Sequence, residues 1–153
     1  MDLRIVGWAA EILAVSSEYG GRNGAAEALG SPDVYPRVGD LPGAWAPASR
    51  TGASTITLRM GASVPGCGLA IFETNGPGAV VRIEDVSQAE QPDALLSSAM
   101  PPEAGQRGRV MIVSFAPREL SAVRIHLDPA AGAAWPGIDA VGLVRCDEAG
   151  QAE

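Results

Sequence analysis

Lysine is missing from this chain, so all 11 basic residues are arginines, and 18 acidic residues bring the net charge to −7. Such an acidic excess disfavours binding to phosphate backbones and to anionic lipid surfaces. Histidine is scarce as well, because His126 is the only one, and a zinc site built on a pair of histidines is therefore excluded. The composition predicts no nucleic-acid partner.

Long hydrophobic runs are also absent. No segment approaches the roughly 18 apolar residues of a membrane span, and the chain does not begin with a basic segment followed by an apolar core. We expect a soluble chain without a signal peptide and without membrane insertion. Its compartment is left open, and would be cell-surface or secreted if the chain is part of a longer exported protein.

Cysteine occurs only at Cys67 and Cys146. The two form neither a C-x-x-C pair nor a spacing typical of metal ligands. The sequence predicts two buried or paired cysteines, leaves open which of the two applies, and does not fix the redox compartment.

What the chain does contain is typical of short strands joined by turns. Its 153 residues are 46% hydrophobic and include 19 glycines and 12 prolines, which predicts one all-β domain over residues 1–147 and a disordered tail at 148–153. The turn at 75–78 predicts a hairpin between its flanking strands. Alternating or β-branched runs predict strands at 10–15, 54–60, 68–74, 79–86, 109–115, 121–128 and 138–145, with a weaker one at 94–98.

The segment before the second predicted strand has a different character. Residues 25–30 predict one short helix, because Gly30 ends it and Pro32 prevents its continuation. Residues 31–52 are rich in proline and glycine without a sustained period, which predicts a long ordered loop. Loops of this length in a compact domain are usually functional or fastened by other residues.

Four sequence blocks resemble a known family. WAAEILAVSSEYG, AAEALGSPDVYPRVGDLPGAWAP, AIFETNGPGAVVRI and finally VRIHLD with IDAVGL occur in this order over most of the chain. Together they resemble a discoidin-related domain found in bacterial OmpA-associated surface proteins and in a eukaryotic F-box leucine-rich-repeat protein. The resemblance implies a galactose-binding-like jelly-roll β-sandwich of about eight antiparallel strands, from a superfamily of carbohydrate-, lipid-headgroup- and protein-binding modules. One departure is that residues 87–108 lack the tryptophan-containing strand expected after AVVRI.

The resemblance also implies a structural calcium site, where the first long loop meets the final strand. Asp33 and Asp40 lie in that loop and Asp139 lies at the start of that strand. Calcium prefers carboxylate and carbonyl oxygens, which a loop rich in glycine and proline can supply. The alternative is that Asp33 and Asp40 bond to their own backbone in turns and Asp139 accepts loop N–H groups.

The candidate ligand-binding residues lie near turns. Glu73 and Asn75 occupy a strand end and the turn that follows, where they would bind sugar hydroxyls or a partner's backbone, or else hold neighbouring loops together. Trp45 and Trp135 lie in loops rich in small residues, where an aromatic ring stacks on a sugar or packs into the end of the sandwich.

Catalysis has little support in the sequence. His126 alternates with charged residues on a predicted strand, and no serine occupies a G-x-S-x-G motif. We therefore expect a non-catalytic module that binds carbohydrate or another surface ligand through loops at one end of the sandwich. The alternative is a protein-interaction or scaffolding domain, which includes self-association into a homo-oligomer. A hydrolase that uses His126 is a third hypothesis.

Overall fold

The computed structural model describes residues 4–16, 45, 53–62, 64–74, 78–88, 90–98, 100, 109–128 and 137–152. In this part of the chain no helix is long and apolar enough to cross a membrane. The predicted helix at 25–30 and all of the predicted loop at 31–52 except Trp45 lie outside the described residues. The described residues form eight strands: β1 (Ile5–Val15), β2 (Ser54–Met60), β3 (Gly66–Thr74), β4 (Val80–Asp85), β5 (Asp93–Leu96), β6 (Arg109–Arg118), β7 (Ala122–Leu127) and β8 (Gly137–Val144).

All pairings are antiparallel, and β1 joins the two halves of the sandwich. The strand order is β5-β4-β7-β2-β1-β8-β3-β6. The second part of β1, from Ala9 onward, pairs with β2, and its first part, up to Trp8, pairs with β8. Register shifts between Ala9 and Glu11 and between Ile5 and Gly7 mark the bulges that let one strand serve both halves. The all-β prediction with about eight antiparallel strands is confirmed.

The two halves enclose one main core. In β2 and β7 every second side chain points inward, which explains the period-two alternation of their sequences. Each fully buried aliphatic side chain contributes roughly 1.5–3 kcal/mol to folding. The strands of both halves supply this cluster, which includes Ile56, Leu58, Val123, Ile125, Leu69, Ile71, Val141 and Leu143.

The central strands β3 and β8 are buried on both faces. Ala70, Phe72 and Ala140 alternate with the core residues and form a second apolar cluster. Trp8 packs against it, with its ring centroid 5.8 Å from that of Phe72. Burial on both faces explains why the β3 sequence is almost continuously apolar and does not alternate with polar residues.

The predicted hairpin across residues 75–78 is wrong. β3 pairs with β6 and β8, whereas β4 pairs with β5 and β7, so the turn leads from one half of the sandwich to the other. Gly78 has φ 95°, a conformation that favours glycine. The next residue, Ala79, already accepts the Asp128 N–H at 2.8 Å, at the end of β7. A turn sequence predicts that the chain reverses direction, but not which strand becomes the partner.

The two outermost strands, β5 and β6, approach each other through ion pairs. Arg118 at the end of β6 contacts Asp85 of β4 at 3.0 Å and Asp93 of β5 at 2.8 Å. Its guanidinium also lies over the Phe115 ring, 5.5 Å from the centroid. The segment at 87–108 that departs from the family pattern thus contains the short edge strand β5, and Asp93 fastens it to the other half.

The C-terminal residues form a hydrogen-bonded turn. The Asp147 carboxylate accepts the backbone N–H groups of Ala149 at 2.9 Å and Gln151 at 2.8 Å. Cys146, which precedes Asp147, forms a disulfide with Cys67 in β3 and a backbone bridge to Ala152. Residues 147–152 therefore form a turn that follows directly on the disulfide; the assignment of 1–147 to one domain and of 148–153 to a disordered tail stays a prediction.

Candidate functional site

Glu73 closes one end of the sandwich through a buried ion pair. It lies opposite Arg109 in the β3–β6 register, and its carboxylate accepts a hydrogen bond from Arg109 Nε. It also accepts the N–H groups of Gly78, at 3.3 Å, and of Val80. Arg109 in turn donates to the Met100 carbonyl at 2.7 Å. Glu73 is 1% exposed, so in this conformation its side chain fastens the turn and does not face a ligand.

Burial dominates the ionisation of Glu73. Loss of water raises the pKa of this carboxyl above its ordinary value of 4.5, although the bond and charge of Arg109 and the two backbone N–H groups lower it. The charged form loses more hydration than its partners replace. In the arrangement described, Glu73 is a structural anchor of the turn.

Trp45 and Asp139 lie where the first long segment meets the last strand. Trp45 is fully buried in the main core, and its backbone exchanges two hydrogen bonds with Ile138, of 2.9 and 2.8 Å. Asp139 follows Ile138 and is 8% exposed. This is the meeting point that the calcium hypothesis requires, but the buried Trp45 ring presents no surface for stacking on a sugar.

The other predicted site residues cannot be placed in the same way. Asp33, Asp40, Asn75 and Trp135 lie outside the described residues. Within the described ranges, no three potential metal-ligating side chains (His, Cys, Asp or Glu) lie together. The calcium site of Asp33, Asp40 and Asp139 and the ligand-binding roles of Asn75 and Trp135 stay predictions.

An open groove of about 500 Å³ lies between β6 and the C-terminal turn. This volume is within the range of small-molecule sites in proteins, about 300–1,000 Å³. Apolar and hydrogen-bonding residues both line it, and the disulfide and the Asp147 hydrogen bonds fix the turn that forms one side. The groove is lined by Ser114, Phe115, Ala116, Pro117, Ala149, Gly150 and Gln151.

A cluster of charged side chains lies on the outer face of β4 and β7, opposite to the core. In the register, Arg82 faces His126 and Glu84 faces Arg124. One Glu84 oxygen lies 2.6 Å from His126 Nε2 and 3.9 Å from an Arg124 nitrogen, and the other lies 3.1 Å from an Arg82 nitrogen. Arg124 Nε also lies 3.4 Å from the Thr57 hydroxyl on β2. One carboxylate thus holds two arginines and a histidine in a single cluster.

Glu84 is ionised easily in this cluster. Burial opposes its ionisation, but the hydrogen bond to His126 and the charges of Arg82, His126 and Arg124 together hold its pKa below the ordinary value of 4.5. Because an ionised carboxylate only accepts hydrogen bonds, His126 Nε2 must carry the proton that it shares.

The sequence did not identify this cluster. Alternation in β4 and β7 indicated that Arg82 and Glu84 share one face of their strand, and Arg124 and His126 one face of theirs. Nothing local indicated that β4 and β7 are neighbours, because even the pair closest in sequence, Asp85 and Val123, is 38 residues apart (123 − 85). His126 does lie on a sheet, as expected, but it is paired with Glu84.

The fold is a jelly-roll β-sandwich, as expected from the sequence. Among solved structures, chitosan-binding module 1 from the chitosanase/glucanase of Paenibacillus sp. IK-5 is similar with a TM-score of 0.61 and 15% identity, over 92% of this chain and 98% of that module. The N-terminal domain of the single-strand break repair protein XRCC1 is similar with a TM-score of 0.57 and 17% identity, over 93% of this chain and 99% of that domain. At these identities the similarity shows the fold alone. No family model matches the sequence, and no curated protein sequence matches it.

Proposed function

We propose that this domain is a non-catalytic carbohydrate-binding module, and that the groove beside β6 holds a sugar. The observation that carries the proposal is the composition of the groove. Ala116 and Pro117 offer apolar surface to the C–H face of a pyranose ring, and Ser114 and Gln151 offer a hydroxyl and an amide to its hydroxyl groups. Sites for small ligands combine apolar walls with a few polar groups in this way.

The fold and the disulfide support the same role. A chitosan-binding module shares the architecture over almost its whole length, and the sequence resembles discoidin-related domains of bacterial surface proteins. Disulfides persist in oxidising compartments, so the Cys67–Cys146 bond supports a role outside a reducing cytoplasm, where polysaccharides are encountered.

The hydrolase hypothesis has less support. A hydrolase of that type needs a nucleophile bonded to His126, but His126 bonds to Glu84, and among the described residues no hydroxyl or thiol bonds to it.

The protein-interaction hypothesis also lacks a supporting observation. The exposed large hydrophobic side chains of the described residues, Leu13, Val64 and Met100, lie in three separate segments.

Titration calorimetry with neutral β-glucan and chitosan oligosaccharides tests the proposal. Gln151→Ala removes the groove amide and is expected to weaken binding about five- to tenfold, the effect of one lost hydrogen bond. Gln88→Ala is the matched control, because Gln88 is also an exposed glutamine but lies outside the groove. Equal affinities of the two variants, or no binding of either sugar by the unmodified protein, would contradict the proposal.

A further inference from the structure

The charged cluster on β4 and β7 carries a positive charge that its own carboxylate does not balance. Arg82 and Arg124 supply two positive charges and Glu84 one negative charge, so the cluster has a net charge of +1 with His126 neutral. The chain as a whole has a net charge of −7. The net charge of this cluster is therefore opposite in sign to the net charge of the protein.

Both arginines keep hydrogen-bond donors available. A guanidinium has five N–H donors. Arg82 uses one terminal nitrogen for Glu84, and Arg124 uses Nε for Thr57 while one terminal nitrogen lies 3.9 Å from Glu84. Their side chains are 53% and 39% exposed, whereas the Glu84 carboxylate that both contact is 8% exposed, so both guanidinium groups are accessible from solvent.

A third arginine on the same outer face, Arg59, has a balanced partner. Arg59 of β2 pairs with Glu11 of β1 at 2.8 Å, and the two side chains are 50% and 54% exposed. That pair is neutral and has one cation for one carboxylate. The β4–β7 cluster, in contrast, has two arginines for one carboxylate, so Arg59 and Glu11 serve as a balanced reference pair on this face.

We propose that Arg82 and Arg124 bind the carboxylate of an acidic sugar residue, such as a uronic acid, in a polysaccharide. This inference rests on the proposed carbohydrate-binding function and adds a second contact surface to it. Arginine binds carboxylates through paired N–H donors, and the hydrogen-bonded Glu84 holds both guanidinium groups at the sheet face. The net charge of −7 repels polyanions as densely charged as nucleic acids, which favours a ligand with at most one carboxylate per sugar residue.

Calorimetry with two probes of equal length tests this site, namely trigalacturonate and the corresponding neutral galactose trisaccharide. Arg82→Met and Arg124→Met keep most of each side chain but remove its charge. Each is expected to weaken trigalacturonate binding about tenfold or more, the effect of losing a charged hydrogen bond. Binding of the neutral sugar should be unchanged, and Arg59→Met, the matched control, should bind both probes within twofold of the unmodified protein.

The outcomes separate the two proposals. Suppose that neutral oligosaccharides bind in the groove, but the affinity for trigalacturonate is unchanged in Arg82→Met and Arg124→Met or falls as much in Arg59→Met. The acidic-sugar site is then overturned and the carbohydrate-binding function stands. If no sugar binds, both are overturned. Should a variant fail to fold, amide chemical shifts of the unmodified protein decide, because trigalacturonate must perturb residues 82, 124 and 126 and the neutral sugar must not. A sulfate titration that shifts the same amides as strongly would show a general anion site and contradict the preference for a sugar carboxylate.

Discussion

Cys67 and Cys146 form a disulfide that links β3 to the turn after β8 across 79 residues of sequence. Replacing both by serine, or reducing the bond, is expected to lower the free energy of unfolding by about 2–4 kcal/mol, because the unfolded chain regains the freedom that the cross-link removes. Urea denaturation with and without reductant measures this loss. The double serine variant is the control, since reductant should not change it. An unchanged midpoint on reduction of the native protein would show that the bond is not formed.

The buried pair of Glu73 and Arg109 should be far more sensitive to mutation than the exposed pair of Glu11 and Arg59. Arg109→Met leaves a carboxylate that is almost fully buried without its cation and is expected to cost about 3–5 kcal/mol. Arg59→Met, in a pair half exposed to water, is expected to cost at most about 1 kcal/mol. Chemical denaturation of the two variants measures the difference.

A second substitution tests the origin of that cost. Adding Glu73→Gln to Arg109→Met removes the uncompensated charge, so the double variant should be more stable than Arg109→Met alone. If the two losses simply add, the ion pair is not the source of the destabilisation.

Trp45 should matter for folding and not for sugar stacking. Its side chain is fully buried, and Trp45→Ala leaves a large cavity in the main core, with an expected cost of about 3–5 kcal/mol. Thermal denaturation of the variant measures this cost. A variant with native stability that has lost only its sugar affinity would instead place the ring at a binding surface.

The positions of most strands were predictable because strand patterns are local. The segment predicted at 54–60 matches β2 at Ser54–Met60, since alternation there records directly which side chains face the core. The partner of each strand was not predictable in this way. The sequence of β3 suggested a hairpin with β4. Its actual position between β6 and β8 depends on the order of strands in the complete sandwich.

The candidate site shows the same division between local and long-range information. Glu73 stood out because it ends a strand before a turn rich in glycine and proline. Its partner Arg109 is 36 residues away and is brought to it only by the β3–β6 pairing. The pairing of Cys67 with Cys146, and the contact of Glu84 with His126, likewise depend on strand order, which a single sequence does not contain.

Glu84 and Glu73 should give opposite pH dependences of stability. The folded-state pKa of Glu84 lies below its ordinary value of 4.5, so its contribution is present above that pH and is lost as the pH falls through the folded-state pKa. The stability advantage of the native protein over Glu84→Gln should therefore shrink on acidification below pH 4.5.

The pKa of Glu73 is raised above 4.5, so the native protein should lose stability relative to Glu73→Gln as the pH rises through that value. Urea denaturation across this range measures both slopes. If the stability difference between the native protein and the variant changed with pH in the same direction for Glu84→Gln and Glu73→Gln, the pKa of one of the two carboxyl groups would be shifted in the opposite direction to that given above.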